Sequence, residues 1–430
     1  MPIRRQEPHR DSAHERPKQD AARGAKEARS GRRRLRWWGV VLPVLLGVLA
    51  AGAWVGRGVL AEAASWASAR LQDGAETVED WATRLRQISA AEPAAEIEER
   101  TEAPASRSAL VVLGQGPGDC AFALVAVSPG APPTLTLLPA TLLAVVPGYG
   151  EFTLGEALAF EGADLAALTV VNELGVRLDD ILALPTGGLA AALAGPAEVD
   201  LPVPLFVSEE GGLVQVLEAG PQRLSPSDVE MLLVTGGAGD AFDWLQRQGA
   251  AWRGILDQIA ADPAVADRLA ASLPAGGSGV ADLLLAAATA EDLLLSALPV
   301  EVVSTLTGEA LALSPGTASE FVPSRLGHLL LRAGERPRVE VLNGNGRIGA
   351  TRVVAEAVVR RGFRVVRTDN ADRFDYASTL VIAQGEAAQA AAREVAGIVG
   401  APVVYLEEAA PSLVVEVSII VGLDIPAGEA

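Results

Sequence analysis

The sequence predicts an α/β protein with a single N-terminal transmembrane helix, a layered α/β domain and a smaller C-terminal α/β domain. Three observations support this prediction. Residues 37–56 form an uncharged apolar run, about as long as the roughly 20 residues with which a helix crosses bilayer hydrocarbon. Residues 108–332 mix short apolar runs with longer helical patterns, which is typical of packed α/β layers. Residues 338–424 repeat this mixture in the order β-α-β-β-α-β-β.

The charge distribution predicts how the chain crosses the cell membrane. Residues 1–36 contain twelve Lys or Arg and five Asp or Glu, a formal charge of +7, whereas the whole chain carries −19. Everything after the tail therefore totals −26. Because basic segments stay on the inner side, we expect a cytoplasmic N-terminus and an extracytoplasmic bulk. A cleaved signal peptide is the alternative, disfavoured by the long polar segment before the apolar run.

The segments on either side of the apolar run are predicted to lack a core of their own. The basic tail, residues 1–36, has too few apolar side chains to bury and is expected to be disordered. Since topology already explains its arginines, no nucleic-acid partner is expected. Residues 57–107 are rich in Ala and Glu, which indicates a helical stalk and an acidic linker. A membrane-surface helix is the alternative, disfavoured because its polar face is not basic.

Composition restricts the chemistry expected outside the cell. Cys120 is the only cysteine, so no internal disulfide can form. Of the three histidines, only His328 follows the predicted membrane span. This argues against His-based catalysis and against a His-rich zinc site in the extracytoplasmic part.

The first globular region begins with apolar runs bounded by Gly and Pro, which predict strands buried on both faces. Longer apolar patterns later in the region predict helices. The predicted strands are residues 109–114, 122–127 and 134–138, and the predicted helices are residues 154–160, 165–174, 178–194, 228–234 and 241–260.

This region resembles the LytR-CpsA-Psr family of membrane-anchored cell-wall proteins. The resemblance rests on the segments GDCAFALVAVSP, LLPATLLAVVPGYG and LSPSDVEMLL, and above all on PGYG at residues 147–150. It implies a domain that transfers lipid-linked anionic glycopolymer onto peptidoglycan, with a magnesium ion and clustered arginines around the pyrophosphate. It also implies cell-wall glycopolymer, a polyprenyl lipid carrier and envelope proteins as partners.

The positions that the resemblance assigns to the family's charged residues hold mostly uncharged ones. Asp119 lies one position out of register, and in the later helix only Arg247 and Gln248 remain recognisable. Phosphoryl transfer depends on positive charge gathered around the phosphates, so we predict that catalysis is lost, with no catalytic residue, no metal ligand and no cofactor. The affected positions are Gly118, Cys120, Ala140, Thr141, Thr153 and Gly155, and the paired arginines of a late strand fall near Val234 and Gly236.

Two alternatives remain open for this domain. An active transferase could have recruited charged residues from other positions, and it would then need magnesium. A polyprenyl tunnel could survive between the apolar helices predicted over residues 154–194 and 279–297, although the same side chains would serve equally as ordinary core. We interpret Asp119 as a solvated loop acid.

The C-terminal region resembles the LytR C-terminal domain along its whole length. The matching segments are VEVLNGNGRIGATRVVAE, GFRVVRTDNADRFDY with STLVIA, and VVEVSIIVGLD. The resemblance implies a binding or assembly module. The predicted strands are residues 339–342, 363–367, 379–383, 403–406 and 413–421, and the predicted helices are residues 350–361 and 386–399.

A glycine loop in this region also matches the dinucleotide-binding fingerprint. Its three glycines follow a strand and open a helix, and Asp369 lies about 20 residues further on, where that fingerprint has its ribose-binding acid. A nucleotide site is the minor alternative, because the region is too short for a doubly wound fold and is predicted to lie outside the cell. A second alternative is that an anion such as a wall phosphate binds near Arg347, at the N-terminus of the helix that follows the loop. The candidate binding residues are Asn343, Gly344, Gly346, Arg347 and Gly349.

Overall fold

The computed structural model describes residues 106–210, 212–271, 273, 278–305, 308–406 and 414–425. The predicted tail (1–36), the transmembrane span (37–56) and all but the last two residues of the predicted stalk (57–107) lie outside these ranges. Within the ranges, no helix combines the length and the apolar character needed to cross a bilayer. The membrane anchor and its orientation therefore stay predictions.

A five-stranded sheet lies at the centre of the first globular region. Its order is β11-β3-β2-β1-β6, with β1, β2 and β3 antiparallel and with β6 and β11 added in parallel. In chain order the strands are β1 (Arg107–Gly116), β2 (Asp119–Ser128), β3 (Ala131–Leu138), β4 (Leu143–Val146), β5 (Gly150–Thr153), β6 (Asp180–Leu184), β7 (Ala197–Leu201), β8 (Leu205–Glu209), β9 (Gly212–Leu217), β10 (Gly220–Leu224), β11 (Leu294–Ala297), β12 (Val300–Thr305) and β13 (Gly308–Leu313).

Helices cover both faces of this sheet, which explains why β1 and β2 are apolar on both sides, as the sequence predicted. One face packs under α3 to α6 and the other under α1 and α7. The mixed α/β layering is therefore confirmed. The helices are α1 (Leu154–Leu174), α2 (Gly188–Ala192), α3 (Pro226–Val234), α4 (Ala241–Ala261), α5 (Ala264–Ala270), α6 (Ser278–Thr289) and α7 (Pro315–Leu326).

Two predicted helices are wrong in part. Residues 178–194 form strand β6 and the short helix α2, because Pro185 and Gly187, whose φ is +83°, interrupt the apolar run. Within β6, Leu182 and Leu184 are buried while Ala183 between them is exposed, a period of two. The apolar stretch 279–297 likewise divides into nearly the whole of α6 and strand β11. By contrast, the predicted helices 154–160 and 165–174 lie on one kinked helix, α1, whose break is at Glu161 and Gly162.

The C-terminal region forms a second five-stranded sheet whose element order is the predicted β-α-β-β-α-β-β. The sheet order is β15-β14-β18-β16-β17, and only the β16–β18 pair is antiparallel. The elements are β14 (Arg338–Asn343), α8 (Ala350–Val359), β15 (Arg364–Asn370), β16 (Leu380–Gln384), α9 (Gln389–Val399), β17 (Val403–Leu406) and β18 (Val417–Val421).

The two regions share one hydrophobic core. Leu165, Leu168 and Val171 of α1 pack in the same buried cluster as Val354 and Val358 of α8. The C-terminal sheet therefore does not complete its own core, because α1 supplies part of the apolar surface that it buries.

Polar contacts close the outer edge of β15, the terminal strand of the C-terminal sheet. Asn172 of α1 is fully buried, and its amide donates to the carbonyl oxygen of Val365 at 2.8 Å and accepts from the Val365 N–H at 2.8 Å. Arg336 donates to the Asn172 and Glu173 carbonyls at 2.8 and 2.9 Å, which satisfies the C-terminal end of α1. Arg364 forms an ion pair with the buried Glu173 carboxylate at 2.9 Å.

Candidate functional site

The structure brings the positions of the family's charged residues together beside the first sheet. The Gly155 N–H donates to the Ala140 carbonyl at 2.8 Å, and Asp119 forms a β-bridge with Thr235. A Cβ added to Gly155 would lie 3.0 Å from the Cα of Pro117. Ala140 is 1% exposed. Small residues and backbone therefore fill the space in which the family resemblance places charged side chains.

Arg247 is buried and bonded to backbone. Its Nη2 donates to the Gly236 carbonyl at 2.6 Å and its Nη1 to the Pro204 carbonyl at 3.3 Å. Burial lowers the pKa of this guanidinium, and the charges of Asp243 and Asp240 oppose the shift. The side chain therefore fixes the segments around residues 204 and 236.

Gln248, the other family-site residue of α4, also contacts backbone. Its amide donates to the Leu233 carbonyl at 2.7 Å, the oxygen that the Trp244 indole N–H contacts at 2.9 Å. Gln248 thus fixes the end of α3, and Arg247 fixes the segment that follows it. The hydrogen bonds of both side chains are therefore structural.

The residues present do not fit a magnesium site of the family's kind. Asp119 is an exposed residue at the start of β2. At the next position, burial and the charge of Asp119 raise the pKa of the Cys120 thiol to about 12, so a neutral sulfur stands where the resemblance assigns an aspartate. Magnesium prefers oxygen ligands, chiefly carboxylates and phosphates. Among the described residues, no three His, Cys, Asp or Glu side chains are grouped so that they could hold a metal ion.

A groove of about 1020 Å³ lies beside these positions, between the β4–β5 and β12–β13 hairpins. Of the described residues that line it, Glu151 and Glu156 are acidic and none is basic. Glu156 also completes a capping box with Thr153 at the start of α1. Because acidic side chains repel phosphates, this groove does not supply the electrostatics that pyrophosphate chemistry requires.

The glycine loop of the C-terminal region, residues 343–349, satisfies its own backbone. The Asn343 side-chain oxygen accepts from the N–H groups of Asn345 and Gly346, and the Asn345 side-chain oxygen accepts from the N–H of Arg347. The Arg347 guanidinium donates to the carbonyls of Leu423 and Ile425 at 3.3 and 3.1 Å. Three loop amides that a phosphate would need are therefore already occupied.

The three glycines of the loop are required for different reasons. Gly346 and Gly349 have φ values of +69° and +79°, which favour glycine. Gly344 is not among the glycines with positive φ. It is restricted by space, because an added Cβ would lie 2.7 Å from Ile420 and 2.9 Å from the Val421 carbonyl. These contacts support the loop's role as a tight turn and leave its binding role a prediction.

A second groove, of about 330 Å³, lies where the PGYG segment meets the glycine loop; we call it the junction groove. The first region contributes Gly148 and Tyr149, and the carboxyl end of β15 contributes polar side chains. The groove therefore joins the most specific motif of the first region to the predicted binding loop of the second. Its lining includes Asn343, Arg347, Gly349, Thr351, Arg352, Thr368, Asp369 and Asn370.

Close contacts fix the PGYG segment against the C-terminal region. The Gly148 N–H donates to the Thr368 hydroxyl, and the Gly148 carbonyl accepts from the Thr351 hydroxyl, both at 3.3 Å. Gly148 has φ +93°, and an added Cβ would lie 2.7 Å from the Cα of Arg352. The sequence prediction missed this role of PGYG, because the contact joins segments about 200 residues apart and leaves no local pattern.

Asp369, the acid of the dinucleotide fingerprint, does line the junction groove. Its carboxylate forms an ion pair with Arg367 at 2.7 Å and accepts from the Asn370 N–H. The hydrogen bond from Arg367 lowers the pKa of Asp369, so the group is ionised at neutral pH. The strand–loop–helix–strand geometry of the fingerprint is present, but the occupied loop amides disfavour a dinucleotide.

Comparisons with known proteins find one family model that matches the C-terminal region and several solved structures that the chain resembles. Residues 336–424 match the LytR_C family model, described as "LytR cell envelope-related transcriptional attenuator". The chain resembles the crystal structure of B. subtilis TagV, with 14% identity and a TM-score of 0.43, over 53% of this chain and 98% of that chain. It also resembles a LytR-Csp2A-Psr enzyme from Actinomyces oris, with 20% identity and a TM-score of 0.39, over 50% and 89%.

No curated protein sequence matches the chain. The predicted LytR C-terminal domain is nevertheless confirmed, since residues 336–424 match the LytR_C family model.

Proposed function

We propose that this protein is a membrane-anchored, extracytoplasmic cell-envelope protein of the LytR-CpsA-Psr type that binds cell-wall components and does not transfer them. The observation that carries the proposal is the close packing of Ala140 and Gly155, where the resemblance places an arginine and an asparagine, with Gly155 also packed against Pro117. Without gathered positive charge, a pyrophosphate transition state loses its main source of stabilisation. The proposed role is therefore to bind cell-wall components and to take part in their assembly.

The catalytic half of the proposal is tested with the full chain in detergent micelles, magnesium, a lipid-linked anionic glycopolymer and peptidoglycan. An arginine-bearing LytR-CpsA-Psr enzyme serves as the positive control. We expect transfer at the level of a protein-free blank. Turnover comparable to that of the control, lost in a folded Arg247→Lys variant, would instead favour the active transferase.

The binding half is tested by co-sedimentation of the full chain with purified cell-wall sacculi. We expect the protein in the pellet, and a protein that stays wholly in the supernatant would contradict a wall-binding role.

Orientation is tested with protease added to intact spheroplasts. The chain after residue 57 should be digested and residues 1–36 spared, because the basic tail is expected inside. Protection of the C-terminal region would reverse the proposed topology.

A further inference from the structure

The junction groove carries polar side chains that the fold itself does not use. The Asn370 side-chain amide is exposed at the end of β15 and makes no hydrogen bond among the described residues. Beside it, Asp369 accepts two hydrogen bonds and keeps further acceptor positions, and the Thr368 hydroxyl is free to donate while it accepts from Gly148. An amide, a carboxylate and a hydroxyl therefore belong to residues that line the groove at the carboxyl end of β15.

An aromatic ring forms the other wall of the groove and is held rigidly. Tyr149 is 39% exposed and stacks on Phe160 with ring centroids 5.1 Å apart. Its hydroxyl donates to the carboxylate of Glu161, and that carboxylate pairs with Arg352 at 3.2 Å. Burial and the hydrogen bond to Glu161 raise the pKa of the Tyr149 phenol to about 12, so the ring stays neutral. A preorganised ring loses little entropy when a ligand stacks on it.

The charges around the groove are paired among the described residues, except that of Arg347. Arg352 contacts Glu161 and also Glu356, the latter at 2.6 Å, and Asp369 is paired with Arg367. The Arg347 guanidinium is directed at backbone carbonyls. Arg352 is paired, the Arg347 Nη1 donates to two backbone carbonyls, and three loop amides are occupied. Because few donors remain for a phosphate, the groove favours an uncharged ligand.

From these observations we infer that the junction groove binds an uncharged pyranose unit of a glycan chain. The C–H face of a pyranose stacks on the Tyr149 ring, and its hydroxyls match the mixed donors and acceptors of Thr368, Asp369 and Asn370. A volume of about 330 Å³ lies within the range of small-ligand sites. The inference rests on the proposed wall-binding function and names the ligand class and the place where it binds.

The test measures binding of chitotetraose, a neutral oligosaccharide, to the full chain in detergent by titration calorimetry. We expect saturable binding that changes less than about twofold between low and high salt, because no net charge is exchanged. Tyr149→Ala should weaken binding by about tenfold or more, the usual effect of removing an aromatic anchor. Tyr149→Phe should bind as the parent, since the ring is kept.

Two further variants separate binding from folding. Asn370→Ala touches no contact of the fold and should weaken binding about three- to tenfold, the value of one hydrogen bond. Tyr405→Ala is the matched control, because this exposed tyrosine of β17 lies outside the groove. It should bind chitotetraose within about twofold of the parent, as expected for a distant and independent site.

Other ligands provide the contradicting outcomes. Another outcome is that the protein binds poly(glycerol phosphate) or NAD and fails to bind chitotetraose. If Asn370→Ala or Asp369→Ala weakened that binding, the result would overturn the inference in favour of an anionic polymer or a nucleotide. Binding of none of the three probes would also overturn it. If chitotetraose binds but both groove variants leave its affinity unchanged, the glycan lies elsewhere, and sacculus co-sedimentation still tests the proposed function by itself.

Discussion

Replacing Asn172 is predicted to open the outer edge of β15. The side chain makes three hydrogen bonds, two to Val365 and one to the Val145 carbonyl at 3.1 Å, and both Asn172 and Val365 are fully buried. Asn172→Ala leaves the N–H and C=O of Val365 without these partners. At about 1–3 kcal/mol for each buried unpaired group, we expect local opening of β15 to become easier by about 3 kcal/mol.

Hydrogen exchange read by mass spectrometry measures this change directly. A loss of about 3 kcal/mol should accelerate exchange in residues 364–370 on the order of a hundredfold, since 1.36 kcal/mol corresponds to a factor of ten. Asn172→Leu, which keeps the volume and excludes water, should behave similarly. Residues 119–128 of β2 and the Asn370→Ala variant serve as controls and should exchange as in the parent. Acceleration below about threefold in both Asn172 variants would refute the assigned role.

Three further predictions concern single side chains. Gly344→Ala should lower the midpoint of thermal unfolding by several degrees, because an added Cβ meets Ile420 at 2.7 Å; an unchanged midpoint would show that the turn can relax. Arg247→Met should destabilise the fold by about 2–4 kcal/mol in chemical denaturation, since two backbone carbonyls lose their charged donor, and stability equal to the parent would contradict this role. Burial alone would raise the pKa of Glu356, but hydrogen bonds and charges from two arginines lower it. Stability should therefore fall as pH drops below the ordinary carboxyl value, and Glu356→Gln should reduce that slope; an equal slope in both proteins would exclude the group.

Local patterns were enough to predict the three antiparallel strands of the first sheet and the elements of the C-terminal region, but not the short strands β4, β5, β7 to β10, β12 and β13. The apolar runs of β1 and β2 and the chain order of the C-terminal elements follow from periodicity and from glycine positions. The helix predicted over residues 178–194 failed because Leu and Ala occur in both element types. There the break at Pro185 and Gly187 mattered more than the composition.

The candidate site was only partly predictable, because it is assembled from distant segments. The glycine loop and Asp369 carried recognisable spacing, whereas nothing near Tyr149 indicates that it meets the end of β15. Asn172 lies in a largely apolar turn of α1, and its position alone does not reveal which edge it closes. Long-range hydrogen bonds of this kind have no sequence period, so only the fold shows them.

The covered edge of β15 limits how the C-terminal segment can be used in isolation. The LytR_C match begins at Arg336, whose guanidinium caps a helix that lies some 160 residues earlier in the chain. A protein cut at that boundary would present an open strand edge and the apolar surface that α1 covers. Such edges template pairing with other chains. A fusion protein that carries residues 336–424 alone should therefore self-associate. To remain monomeric, it needs α1 as well, or another group that replaces the hydrogen bonds of Asn172.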